Sequence, residues 1–162
     1  FGKKLCGKFR PGHFEGVVDV IERFIKIINP EKIYMGKKDM QQLIIIRDFV
    51  RKKYKHIKIC GCKTIREKNG IACSSRNFLL SYSEKIIASK IYKLLIKKKH
   101  SLIKKRIYLK DIKRKILEIG VTKIDYIKIL DINKLIKPYK KKNIYRIFIS
   151  YYLGKTRLID NI

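Results

Sequence analysis

A short apolar run, Lys32-Ile33-Tyr34-Met35, leads into Gly36-Lys37-Lys38-Asp39-Met40-Gln41-Gln42-Leu43, where a helical pattern begins. A strand, a small turn residue and a helix start carrying a lysine is how α/β proteins hold phosphates at the carboxyl end of a sheet. About thirty residues on stands Arg66-Glu67-Lys68-Asn69-Gly70-Ile71-Ala72-Cys73-Ser74-Ser75-Arg76-Asn77. Its two hydroxyls and its arginine suit a polyphosphate. Together the segments point to a nucleotide clamp, one jaw on a sheet and the other on a mobile loop.

The surrounding pattern agrees with an α/β start. Phe14, Val17, Val18, Ile21, Phe24, Ile25 and Ile28 recur at helical spacing, predicting a helix over about His13–Ile28 that Asn29-Pro30 stops. Lys32–Met35 reads as a buried strand. A second helix starts at Lys38 or Asp39 and runs to about Lys53, with Leu43, Ile46, Phe49 and Val50 inward and Arg47 and Arg51 outward. His56–Cys60 reads as a second strand. Helix, strand, helix, strand argues for a parallel sheet with crossover helices.

After Thr64 the character changes. Asn69-Gly70 marks a turn. Ser81 or Ser83 caps a helix to about Lys99, and another spans about Leu109–Ile119 and ends at Gly120. Three strand-like runs follow, Ile124–Leu130, Asn143–Leu153 and Thr156–Ile159, separated by Pro138-Tyr139 with its lysines and by Gly154-Lys155; they predict an antiparallel sheet.

Charge bears on function class. The 42 Lys+Arg against 13 Asp+Glu give +29, which ordinarily points to nucleic acid or an anionic membrane. Here lysine and isoleucine are spread over the whole chain, so solvated lysine faces explain the excess and nucleic acid is not expected as a partner. Cys60-Gly61-Cys62 is a lone C-x-C near His56 and Cys73; zinc sites ordinarily show paired elements, so the four cysteines read as reduced thiols. The sequence has no run of eighteen apolar residues and no signal peptide, which predicts a cytoplasmic protein with no membrane partner.

Several ordered stretches now form a set: Arg10-Pro11-Gly12-His13-Phe14-Glu15-Gly16-Val17, Gly36 to Leu43, Arg66 to Asn77, and Leu153-Gly154-Lys155-Thr156-Arg157-Leu158-Ile159-Asp160-Asn161. In this order and spacing they resemble the C-terminal half of the pantothenate synthetase (pantoate–β-alanine ligase) family. The resemblance implies an α/β fold: the C-terminal part of a Rossmann-like, nucleotidyltransferase-type parallel sheet domain over residues 1–64, then a small α+β lid domain with an antiparallel sheet over 65–162. The His-x-Gly-His-type element of the family's N-terminal half has no counterpart here, because His13, His56 and His100 are not so spaced. The family joins pantoate to β-alanine with ATP and Mg2+ through a pantoyl-adenylate, and its members are usually homodimers.

The resemblance also implies roles. Lys38 matches a phosphate-binding lysine, suited to charge developing on the phosphoryl oxygens. Gly36 and Asp39 resemble ribose-contacting positions, with a helix cap the bland alternative for Asp39. Gln42 resembles a pantoate-binding glutamine, which leaves Gln41 facing outward. Ser74, Ser75 and Arg76 resemble the mobile phosphate loop of related adenylating enzymes. Ile65 matches a position that meets adenine through its backbone. Two positions depart: Cys73 replaces a methionine or leucine, and Asp19 a frequent threonine. His13 and Arg10 carry no assigned role. A basic RNA-binding protein, resting on charge alone, and a non-catalytic remnant of the ligase are the rival classes.

Overall fold

The structure is a computed structural model, and it describes residues 1–136, 139 and 141–162. The chain divides by its internal contacts into two compact units, one built on Phe1–Lys63 and the other on Thr64–Leu135 with Tyr139–Ile162. The predicted break at Pro138 lies outside the described residues.

In the first unit a one-turn helix α1 (Cys6–Phe9) precedes α2 (His13–Ile28), then β1 (Lys32–Gly36), α3 (Met40–Lys53) and β2 (Lys58–Cys62). The two strands pair in parallel, Lys32 opposite Lys58 and Gly36 opposite Cys62, with α3 as the crossover that parallel pairing requires. Ile25, Ile46, Val50 and Ile57 form the core, flanked by Val17, Val18, Ile21, Ile33, Met35 and Ile59. Phe24 and Ile28 stay exposed. The second strand begins two residues later than its sequence suggests: Ile57 turns into the core ahead of the ladder.

In the second unit α4 (Tyr82–Ile103) and α5 (Leu109–Glu118) lead into β3 (Lys123–Asp131), β4 (Tyr145–Leu153) and β5 (Thr156–Asn161). The sheet is antiparallel in the order β3-β4-β5. The first helix starts in a capping box, Ser81 Oγ accepting from Glu84 N at 3.2 Å while Glu84 Oε2 accepts from Ser81 N at 2.8 Å; such a cap stabilises by about 1 kcal/mol. Ile91, Leu95, Leu102, Ile112 and Ile116 of the helices meet Ile147, Ile149, Tyr151 and Leu153, alternate residues of β4. No helix among the described residues is long and apolar enough to cross a membrane.

Candidate functional site

The carboxyl end of β1 positions the first group of predicted site residues. Lys37–Asp39 form a 3-10 turn and α3 proper begins at Met40, so Lys38 and Asp39 lie ahead of the helix rather than in its first turn. Lys38 Nζ lies 3.9 Å from Asp39 Oδ1, with the lysine side chain about one-fifth exposed and the carboxylate half exposed. Asp39 occupies the N-cap position, yet its side chain accepts no capping hydrogen bond. Gly36 is extended at φ −68°, and a Cβ built there meets nothing within 4 Å. Neither the backbone nor its neighbours therefore demand a glycine at this point. Gly61, its near neighbour on β2, is different: a Cβ there would come within 3.1 Å of Leu43 and 3.2 Å of Lys37.

The two glutamines divide differently from the sequence expectation. Gln41, predicted to face outward, is buried at 6% exposure. Its Oε1 accepts from Cys6 N at 3.0 Å, and its Nε2 donates to Phe1 O at 3.2 Å and Lys4 O at 2.7 Å. The N-terminal segment explains the difference: Phe1, Lys4 and Cys6 fold against Gln41, across 35 to 40 residues, which a helical pattern does not show. Gln42 is half-buried. No hydrogen bond among the described residues engages its side-chain amide.

The second group stands on the other unit. Arg66 bridges Ala72 across an antiparallel turn, Gly70 N donates to Glu67 O at 2.8 Å, and Cys73 N to Ile65 O at 3.0 Å. Asn77 lies beneath, its Nδ2 donating to Glu67 Oε1 at 2.6 Å and Ala72 O at 3.1 Å. Ile71, Ala72 and Asn77 are buried, whereas Ile65, Cys73, Ser75 and Arg76 are exposed. The predicted mobile loop thus has a hydrogen-bonded base and an exposed tip. Ser74 Oγ accepts from Arg76 N at 3.3 Å, starting a 3-10 turn over Ser75–Leu79.

Sequence spacing does not reveal what holds this loop. Arg66 makes a two-pronged pair with Asp160, at 2.7 and 3.0 Å, across 94 residues. The Arg66 guanidinium also donates to Gly70 O at 3.1 Å and lies 4.3 Å from the Tyr92 ring centroid. Burial disfavours the Arg66 cation, but the Asp160 pair outweighs it and raises its pKa. Arg76 Nη1 donates to the Arg157 carbonyl at 2.9 Å, and Arg157 Nε to Asp125 Oδ2 at 2.8 Å.

The remaining candidates are peripheral. His13 Nε2 lies 2.9 Å from Arg10 Nη1 at the start of α2. Asp19 is exposed and pairs with Arg23 at 3.0 Å. Cys60 is half-buried, Cys62 and Cys73 are exposed, and the buried Cys6 also stands outside any disulfide. Among the described residues no three His, Cys, Asp or Glu side chains gather as metal ligands.

A parallel βαβ unit with a Gly-Lys-Lys-Asp turn at the end of its first strand places the first unit in the Rossmann-like class of α/β folds. The family model described as pantoate-beta-alanine ligase matches residues 1–162. A pantothenate synthetase of Clostridium botulinum (strain ATCC 19397 / Type A) is 41% identical over 163 residues, covering 98% of this chain and 58% of the relative. One from Sulfurihydrogenibium sp. (strain YO3AOP1) is 39% identical over 171 residues, covering 99% of this chain and 59% of its own. A pantoate-beta-alanine ligase of Francisella tularensis, solved in complex with beta-gamma ATP and beta-alanine, superposes with TM-score 0.81 at 36% identity, covering 99% of this chain and 54% of that one. Pantothenate synthetase of Thermus thermophilus gives 0.82 at 29% identity, with coverage of 99% and 59%. The chain belongs to the pantoate–β-alanine ligase family and spans rather more than half the length of these relatives.

Proposed function

We propose that this chain serves an ATP-dependent ligase that condenses pantoate with β-alanine to pantothenate. The observation that carries the reading is the turn after β1. The fold does not require a glycine at Gly36, Asp39 does not cap the helix, and the Gln42 amide is not engaged within the described residues, while its neighbour Gln41 does the structural work. A glycine that the fold does not require, a carboxylate 3.9 Å from the Lys38 ammonium and an unengaged amide are what a ligand-binding turn needs.

In this reading the pantoate carboxylate attacks the α-phosphate of ATP, forming pantoyl-adenylate and releasing pyrophosphate. The β-alanine amine then attacks the acyl carbon and AMP leaves. Lys38 stabilises charge on the phosphoryl oxygens. Ser74, Ser75 and Arg76 serve the β- and γ-phosphates, with the Arg76 fork giving two parallel donors. Gly36 and Asp39 serve the ribose, the Ile65 backbone the adenine, and Gln42 the pantoate hydroxyl and carboxylate. The complex of the Francisella tularensis relative holds a nucleotide and an amine of these two classes, which supports the reading.

Mg2+ would come with the nucleotide's phosphates, its ordinary mode of binding, and would help neutralise the charge that Lys38 also faces. Residues 1–64 as part of the nucleotide-binding domain, 65–162 as the lid, a homodimer and a cytoplasmic location belong to the same proposal. Calorimetric titration with Mg-ATP tests it: the chain binds, and Lys38→Ala and Arg76→Ala each weaken binding at least about tenfold, the scale of one lost charge-assisted contact. Equal affinity in all three overturns the assignment.

A further inference from the structure

The family motif at the C-terminus, Leu153 to Asn161, has no role in the mechanism above, and the structure supplies one. We propose that β5 is the positioning element of the nucleotide loop, with Asp160 and the Arg157 carbonyl bracing its two ends; this rests on the nucleotide reading of Ser74–Arg76.

Asp160 faces the near end. Its two oxygens take both prongs of Arg66, the residue after Ile65. Asp160 Oδ1 also accepts from Asn161 N at 2.8 Å, a second bond that holds the carboxylate's orientation. Arg66 then shapes the turn, through its bond to Gly70 O and its place over Tyr92. The side chains of the pair are 20% and 13% exposed. That shields them from screening, so a two-pronged pair here orients more firmly than a surface ion pair.

The Arg157 carbonyl takes the far end through Arg76. Arg157 is itself anchored: its Nε donates to Asp125, whose side chain is 1% exposed and also accepts from Ser150 Oγ at 3.2 Å. The register of β3 shifts between Ile124 and Tyr126, at Asp125 itself, as a bulge does where a side chain is re-aimed. Arg157 and Asp160 are three residues apart on one strand, so the braces stand about 10 Å apart. Between them the exposed tip Cys73–Arg76 is presented on a base that does not have to order when a ligand binds, which lowers the cost of binding. Asp160 and Asp125 are positioning residues; neither touches substrate.

Asp160→Asn, which keeps the shape and removes the charge, tests the brace by two readouts. Hydrogen exchange across 66–73 accelerates on the order of tenfold to a hundredfold, the scale of losing a hydrogen bond to a charged group, while core amides of α4 and β4 keep their wild-type rates. Mg-ATP affinity falls by about tenfold, as expected when a binding loop loses pre-organisation. Arg66→Lys, which keeps the charge but loses the fork, moves both readouts in the same direction and decides the matter if Asp160→Asn does not fold. Unchanged exchange across 66–73, or acceleration spread evenly over residues 64–162, overturns the brace. Failure of the unsubstituted chain to bind Mg-ATP overturns the nucleotide reading instead, and the exchange pattern still decides whether β5 holds the loop.

Discussion

Gly70→Ala tests the geometry on which the loop depends. Gly70 sits at φ +93°, and a Cβ there would lie 2.3 Å from Tyr92 Cδ1 and 2.5 Å from Cε1. Both distances are far inside van der Waals contact, so the ring must swing away. That ring carries the Arg66 guanidinium at 4.3 Å, and the swing removes the contact. A positive φ costs an L-residue about 1–2 kcal/mol. Losing a partly desolvated cation–π contact costs about 1–2 kcal/mol more. The expected loss is therefore about 2–4 kcal/mol. Urea unfolding followed by circular dichroism and tyrosine fluorescence reads it, since the chain has ten tyrosines and no tryptophan. Gly36→Ala is the matched control: with φ −68° and no atom within 4 Å, its stability stays within about 0.5 kcal/mol of wild type, while Mg-ATP affinity drops. A Gly70→Ala loss below about 1 kcal/mol, or a Gly36→Ala loss as large as that of Gly70→Ala, refutes the reasoning.

Three further outcomes follow from the same structure. Gln41→Ala removes three hydrogen bonds to the backbone, costs about 1–3 kcal/mol and opens residues 1–10 to limited proteolysis, whereas Gln42→Ala leaves both stability and proteolysis unchanged. Asp125→Ala strips the buried partner from Arg157 and costs about 3–5 kcal/mol in urea unfolding; the site tolerates removal if the loss is under about 1 kcal/mol. Hydrogen bonds from Lys53 and Tyr54 hold the Glu22 pKa below its ordinary value of 4.5, so its stabilising contribution is present above pH 4.5 and is lost as pH falls through the folded value. Glu22→Gln accordingly flattens the acid limb of a stability-against-pH curve, and an unchanged limb contradicts the assignment.

Local signals carried the elements well where punctuation was strong. The bounds of α2 follow from Asn29-Pro30 and from a clean apolar period, and a serine at 81 or 83 announces α4, of which the structure uses Ser81. The start of α3 differs because Lys37–Asp39 satisfy a helical pattern yet form a 3-10 turn, and Gln41 is buried because the distant Phe1–Cys6 segment bonds to it, which no helical pattern states. The candidate residues were legible as motifs, since a glycine, a lysine and a carboxylate after a strand carry their chemistry in their spacing. Their supports were not: Arg66 meets Asp160 across 94 residues and Arg76 meets Arg157 across 81. Such pairs depend on how β5 folds back along β4, which no local pattern states.

The most direct measurement of the central claim is AMP release from ATP in the presence of pantoate and β-alanine, with the chain alone and mixed with the N-terminal portion of the Clostridium botulinum relative. The ligase reading predicts release that requires both substrates in at least one of these mixtures and that Lys38→Ala abolishes. Release that persists in Lys38→Ala, or no release in either mixture, contradicts it.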